Sequence, residues 1–558
     1  MTDEPALLAA VAAAPDDDTP RLVYADWLDD HGRPERAEFI RVGCRLAAAT
    51  PADDDYPDLL DRRDELASWL TTFEPLPPDR PDGPLRVTAG DYARFRRGFP
   101  EAVTALVVNE SRSEFRRLVN ALGKHLAKSP ARSLDVHGLT AEGAAELVRH
   151  PVAAGLRGLA LEASDDDFEL SLEEDDEKPR MTARSPAAEL VAGAIAASPH
   201  LTSLRRLSLR IDLTDAAAAL LAGANLPALA ELELGVSVAA PRAVARLAGA
   251  AWFRNLRVLR VGTHLGVAHL EALAALPPFP RLHTLDLSDN RFEWIALRAL
   301  AQSQSFPALA SLDLHGNPLD EEGVGHLAKA RWSVRELNLR SCGFGDADLR
   351  RLLRGRLLDG VRVLDLSTGM VGDPGLRALA ESPKLAELRH LSLAWAAIGP
   401  AGFAALAESP HLSNLTRLGL ATGQAEPEGS PDHAARFLER VDAPNLRRLV
   451  LESRPVGAAG AKALASRPTF ANLRWLGLTA CRVGDEGVAA LAASPRLREL
   501  VWLDLSDNGI TTAAALADPA VFPRLARCRL GGNPLAPADA RALAARRAVQ
   551  VDQTTSGI

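Results

Sequence analysis

Leucines recur along the chain in the order L-x-x-L-x-L, at Leu204, Leu207 and Leu209, at Leu282, Leu285 and Leu287, at Leu388, Leu391 and Leu393, and again at Leu500, Leu503 and Leu505. Alternation over a short apolar run is the period of a strand with one face buried, so each copy predicts one β-strand. The central position falls on Leu106, Leu134, Leu159, Leu207, Leu232, Leu259, Leu285, Leu312, Leu337, Leu364, Leu391, Leu418, Leu449, Leu476, Leu503 and Cys528, about sixteen units with a usual spacing of about 27 residues. Between strands the pattern turns helical, as in residues 372–380 and 484–492; Asp373 and Asp485 suit N-caps there, and Pro374 suits a first helical turn. Parallel strands about 4.8 Å apart with bulkier helices behind them predict an α/β fold: a right-handed solenoid curved as a horseshoe, sheet on the concave face and helices on the convex face.

Several strands are followed by Asn290, Asn317, Asn508 or Asn533, and Cys342 and Cys481 occupy the same slot. A buried amide or thiol there can bond the backbone of neighbouring turns where the chain leaves the ladder. Cys528 replaces a core leucine. The four cysteines lie far apart, with no C-x-x-C pair and no histidine at metal spacing, which argues against a disulfide framework or a zinc site. The intervals from Leu159 to Leu207 and from Leu418 to Leu449 are long and polar, so they read as insertions. The acidic stretch 165–177 in the first of them predicts a disordered loop, and it lacks the spacing of an EF-hand calcium loop.

The L-x-x-L-x-L-x-x-[NC] strand followed by a full helix resembles the ribonuclease-inhibitor type of leucine-rich repeat, over about four fifths of the chain. That resemblance implies recognition of a macromolecule, usually a protein, through the concave sheet, and leaves the partner unspecified. Ahead of the repeats, RLVYADWLDDHGRPERAEFIRV resembles the repeat-companion domain that precedes repeat arrays in some bacteria, notably planctomycetes. Arg97-Gly98-Phe99-Pro100-Glu101 looks like the junction such proteins use. The expected organisation is a helical companion domain at 1–48, a helical and Pro-rich connector and cap at 49–98, with 57–73 as a helix of that cap, a solenoid at 99–546 with an acidic insertion near 163–186, and a tail at 547–558. A helical unit over the open end of a solenoid would cover its unpaired strand and exposed leucine layer. Tyr24, Asp26 and Trp27 fit an apolar helix face with its charges solvated.

Aromatics are only 5% of the residues, as expected when one small unit is copied many times, and a net charge of −9 gives no footprint for nucleic acid or an anionic membrane. The first residues form a short Ala-rich stretch flanked by acids, unlike a signal peptide, and no apolar run is long enough to span a bilayer. The chain therefore reads as a cytoplasmic monomer with a protein partner. No glycine-rich phosphate loop, H-E-x-x-H or G-x-S-x-G occurs, and the 13 histidines are scattered, so neither catalytic residue, cofactor nor metal is expected. Two other classes stay open: an enzyme regulator, such as an inhibitor or GTPase activator, and an enzyme with its site in the N-terminal helices.

Residues between the leucines point to the concave surface, so columns can be read across rungs. The column before the central leucine ends in Arg417, Arg448, Trp475, Trp502 and Arg527, two tryptophans on adjacent rungs flanked by arginines, with Gly419 and Gly477 leaving floor space beside them. These residue types are enriched at binding hot spots, and the cluster is the candidate anchor for a protein partner. The column after it holds Asp286, Asp313, Asn338 and Asp365. A line of like charges suits a cation-bearing ligand surface, or is the common LDL strand habit that keeps this face wet.

Overall fold

A computed structural model describes residues 4–73, 85–86, 95–97, 99–100, 102–106, 112–128, 131–162, 169–173, 180–235, 241–262, 265–290, 294–422 and 433–546. The chain divides into two compact units, Met1–Tyr56 with Leu76–Asp313, and Pro57–Pro75 with Leu314–Ile558. Each holds eight strands of one parallel pattern, Ala102–Leu106 to Ser311–Asp313 in the first and Glu336–Asn338 to Arg527–Arg529 in the second, alternating with helices.

The register sets the central leucines against one another. In the first unit Leu134, Leu159, Leu207, Leu232, Leu259, Leu285 and Leu312 oppose their neighbours. In the second the line runs from Leu337 through Leu364, Leu391, Leu418, Leu449, Leu476 and Leu503 to Cys528. None of these side chains is more than 2% exposed, and burying each leucine contributes about 1.5–3 kcal/mol before entropy is counted. This is a leucine-rich-repeat solenoid in each unit.

The first rung departs from the sequence reading: Val103, not Leu106, lies opposite Leu134. Strand parity decides it, because Leu106 is an odd number of residues on from Val103 and the register sets it opposite His137. A second departure lies in the acidic insertion, where Glu169–Glu173 and Arg180–Arg184 pair antiparallel instead of forming a featureless loop. The register sets Glu169 opposite Arg184 and Glu173 opposite Arg180. Residues 163–168 and 174–179 of that insertion lie outside the described residues, as do 423–432 of the second insertion and the tail 547–558.

Where the chain leaves each strand, the expected amide slot does the work assigned to it. Asn508 Nδ2 donates to Leu478 O at 2.7 Å, and its Oδ1 accepts from the backbone N–H groups of Cys481 and Val483, each at 3.0 Å. Asn290 and Asn533 repeat the pattern on their own neighbours. The thiols of Cys342 and Cys481 donate to Leu314 O and Leu451 O, each at 3.1 Å. At the rung of Leu449 the same slot holds Arg454, which is 3% exposed. Its guanidinium donates to Leu420 O, Ile398 O and Ala396 O at 3.0, 2.9 and 3.2 Å.

Asp373 and Asp485 are not the caps of their own helices. Asp373 follows Gly372, the N-cap, and its carboxylate accepts from Gly399 N at 2.7 Å in the next repeat. Asp485 likewise accepts from Thr511 N at 2.7 Å and Thr512 N at 3.0 Å. One carboxylate thus ties each helix start to its successor, satisfying donors that a helix leaves open. Pro374 sits in the first turn as expected.

In the first unit, α1 (Glu4–Ala13), α2 (Thr19–Asp30) and α3 (Pro34–Ala48) precede the repeats. They share a core of Val11, Tyr24, Ala25, Leu28, Ala37, Ile40 and Cys44 with Phe99 at the entry to the first strand. Tyr24 stacks on Trp27 at 5.9 Å and donates to Glu4 Oε1 at 2.7 Å, while Asp26 and Asp29 pair with Arg41. Their contacts are those of an internally packed helix face.

Candidate functional site

The second unit contains a helix that is not part of its repeats. This is α4, Tyr56–Phe73, of which Pro57 onward is grouped with Leu314–Ile558. Its acids fall at Asp58, Asp61, Asp64 and Glu65, spaced by three, three and one, and so share one side of the helix. That side faces a set of cations on the strand face. Arg389 donates to Asp58 Oδ2 at 2.9 Å. Asp61, 3% exposed, pairs through Oδ1 with Arg417 Nε, while its Oδ2 accepts from His390 Nε2 at 3.0 Å and Thr416 Oγ1 at 3.3 Å. Asp64 Oδ2 takes Arg417 Nη2 at 3.2 Å, and Glu65 Oε2 takes Arg474 Nη1 at 2.7 Å and Arg62 Nη1, from the helix itself, at 2.9 Å.

Going along α4 from Asp58 to Glu65 therefore meets the rungs of Leu391, Leu418 and Leu476 and passes that of Leu449 between the last two. Seven residues of helix rise about 10 Å while the three strand steps from Leu391 to Leu476 cover about 14 Å, and the long arginine side chains make up the difference. Leu59, Leu66, Ala67 and Leu70 are buried as well, but at about 100° per residue they lie on the other side of the helix. The contact with the arginines is polar throughout. A carboxylate as buried as Asp61 is tolerated because the Arg417 guanidinium pairs with it and His390 and Thr416 donate to it. His390, against the same carboxylate, is lowered to about 4 by its burial, which outweighs Asp58 and Glu336 nearby; Arg389 and Arg448 push in the same direction as burial.

The residues singled out from the sequence separate into groups. Arg417 is held by α4. Arg448 lies over the ring of Trp475 at 4.2 Å, and Trp475 stacks on Trp502 at 4.4 Å with the planes 24° apart. Arg527 is opposite Trp502 in the ladder, but Arg529 is the arginine that lies over the Trp502 ring, at 5.6 Å, while pairing with Asp504 at 3.6 Å. Arg448, Trp475, Trp502 and Arg529 form one continuous stack across four rungs, in which Trp502 is buried and Trp475 half-buried.

The acid line has a local explanation. Asp286 Oδ1 accepts from Ser288 N at 3.0 Å, Asp365 Oδ1 from Ser367 N at 2.8 Å, and Asn338 Oδ1 from Arg340 N at 3.0 Å. Each closes a turn two residues on, the habit of Asp and Asn where a strand ends. Asp286 also lies 3.8 Å from Arg260. Asp313 occupies the same column opposite Asp286.

One column escaped the sequence reading. The first x of L-x-x-L-x-L is arginine at Arg132, Arg157, Arg205, Arg257, Arg335, Arg362, Arg389, Arg447 and Arg474. Its backbone opens each step of the ladder, as in Arg389 N to Arg362 O at 2.8 Å, so these side chains line the edge where the strands begin. Arg389 and Arg474 belong to this column and receive α4. The signal is present in the sequence as a recurrent L-R-x-L, and the acidic segment that gives it meaning is set against it only by the fold.

Among the described residues no group of three or more His, Cys, Asp or Glu is placed to hold a metal ion, and no helix is long and apolar enough to cross a membrane. A family model described as Leucine Rich repeat matches residues 333–353. No curated protein matches the chain. Among solved structures the chain is similar to a yeast Rad7 and Elc1 complex, with 14% identity, 80% of this chain and 89% of that chain covered, and a TM-score of 0.42. It is also similar to a leucine-rich-repeat protein of Leptospira interrogans, with 18% identity, 73% and 98% covered and a TM-score of 0.37. A third is an internalin from Listeria monocytogenes, with 17% identity, 62% and 84% covered and a TM-score of 0.31.

Proposed function

We propose that this chain is a non-enzymatic scaffold that holds a protein partner on the strand-lined face of its repeats, with Arg417, Arg448, Trp475, Trp502 and Arg527 on the contacting columns. What carries the reading is that the strand face of the second unit already holds a protein helix, through carboxylates spaced to its arginines. The half-buried Trp475, backed by the buried Trp502 and flanked by Arg448 and Arg529, adds the residue types that dominate protein interfaces. The finer assignments go with it: repeats of the ribonuclease-inhibitor type, because full helices alternate with the strands; a companion domain at the N-terminus; and a cytoplasmic place of action.

The test is W475A/W502A in the full chain, with tagged protein recovered from the cells that make it and the co-purifying protein quantified against wild type. Loss of two aromatic anchors should lower recovery at least about thirty-fold, with the cooperative melt of the repeats retained. Equal recovery would overturn the reading.

A further inference from the structure

The pairing between α4 and the strand face has a stereochemical specificity beyond simple attraction of opposite charges. Asp58 meets Arg389, Asp61 meets His390, Thr416 and Arg417, and Glu65 meets Arg474. An extended segment would advance about 3.3 Å per residue, so seven residues would run about 23 Å against the roughly 14 Å of three rungs from Arg389 to Arg474, whereas the helix rises about 10 Å and stays within reach of the long arginine side chains. Phosphate or a disordered acidic tail could neutralise the arginines, but only a helix presents carboxylates at i, i+3, i+6 and i+7 on one side. The receptor side also has a fixed geometry, because each cation stands on its own rung of a rigid ladder.

We infer that the partner of this face is an acidic amphipathic helix with carboxylates at that spacing, and that it binds by taking the place of α4, the resident copy. The inference rests on the reading of the strand face as a protein-binding surface and names the chemistry of what it takes. Recognition through ion pairs with part-exposed arginines and the buried carboxylates of Asp61 and Glu65 specifies register more than it adds affinity, because desolvation on both sides offsets the attraction. The side chains of Arg389, Arg417 and Arg474 are 30%, 24% and 24% exposed. As a tethered ligand α4 has an effective concentration of about 1 mM, so for a free helix with a dissociation constant of about 100 μM its presence weakens apparent binding about ten-fold.

The experiment uses the full chain and a fluorescent synthetic peptide of residues 56–73, with anisotropy as the readout. In the chain variant D61K/D64K the two lysines confront Arg417 and expel the resident helix. The peptide should bind this variant about ten-fold more tightly than wild type, and a peptide with Asp58, Asp61 and Asp64 as Asn and Glu65 as Gln should not bind it. Equal or weaker binding of the wild-type peptide to a variant that retains the cooperative melt of the repeats would overturn the inference.

A second measurement needs no variant. Hydrogen exchange of the α4 amides in the wild-type chain should accelerate when the unlabelled peptide is added in excess, and unchanged exchange at saturating peptide would overturn displacement. The two readings fail separately: peptide binding with W475A/W502A recovering its partner normally removes the tryptophan anchor and leaves the acidic-helix receptor, while the reverse pattern removes only the receptor.

Discussion

Both units seat a carboxylate from outside the repeats on the same arginine column, and they do so in different ways. In the first unit the turn between α1 and α2 places Asp16 against Arg157 at 3.0 Å and Arg205 at 3.1 Å, while Arg132 donates to Ala12 O at 2.8 Å and Arg97 to Asp16 O at 3.1 Å. Behind that turn stands an apolar core that includes Phe99, at the start of the repeats. In the second unit α4 meets the column through side-chain carboxylates, and its leucines are buried on the other side. The first seat adds backbone carbonyls and apolar packing to a single carboxylate, and little of it depends on the spacing of acids. A seat made of spaced carboxylates is a code that another helix can carry. The first arrangement suits a permanent part of the fold, the second a ligand.

The strongest way to break this contrast is in the apolar seat. Leu28, fully buried in the α1–α3 core, replaced by Asp should cost about 5 kcal/mol through the lost packing and the buried charge, and chemical denaturation of the first unit should register all of it. Asp61→Ala should cost about 3 kcal/mol locally, because it leaves Arg417 and His390 facing each other without their shared carboxylate. That loss is capped by the docking energy of α4. Hydrogen exchange should therefore show α4 opening while the strands around Leu391 and Leu418 keep their protection; a matching loss in those strands would mean that the helix is an integral part of the fold.

Acid separates the seats more gently. His390 binds its proton less readily when α4 is docked, at about 4 against the usual 6.5, so the undocked form takes up more protons as pH falls. Docking is thus favoured fully above about pH 6.5 and loses up to about 3 kcal/mol on the way to pH 4. The carboxylates facing it are Asp58, Asp61 and Glu336, and His390→Gln should flatten the dependence. Burial alone would raise Asp16, but its hydrogen bond to Arg157 and the charges of Arg157, Arg205 and Arg97 hold it below the ordinary value of 3.8. Its contribution is present above that value and is lost only as pH falls below it. Hydrogen exchange between pH 7 and 4.5 should therefore loosen α4 and leave the α1–α2 turn closed. The smallest effect belongs to the acid line: Asp286→Ala removes one turn hydrogen bond and should cost about 1 kcal/mol or less, readable as a small shift in melting temperature.

The ladder was legible because period and parity carry it. Fifteen of the sixteen central positions align in the register as the leucine pattern places them, and the miss at Leu106 is a parity error at a rung without the full motif. The buried Asn and Cys slot was legible for the same reason, being a fixed offset from a strand, whereas Arg454 in that slot could not be read, since a buried arginine depends on carbonyls 34, 56 and 58 residues away. Asp373 and Asp485 looked like caps because the type of residue is right; their partners lie one repeat on. The site was half legible. Columns showed Arg417, Arg448, Trp475 and Trp502 together, but the acids of 58–65 and the arginines of 389–474 are joined only by the fold, and no local spacing announces a pair more than 300 residues apart.

One measurement reaches the core of this picture: hydrogen exchange of the α4 amides in the full chain, wild type beside Arg417→Gln/Arg474→Gln, at neutral pH. With two of its receiving arginines neutralised, α4 should exchange at least ten-fold faster, while amides of the strands from Glu336–Asn338 to Arg527–Arg529 stay as protected as before. Unchanged protection of α4 in a folded variant would show that the leucine side alone holds the helix and that the arginine column does not read its acids.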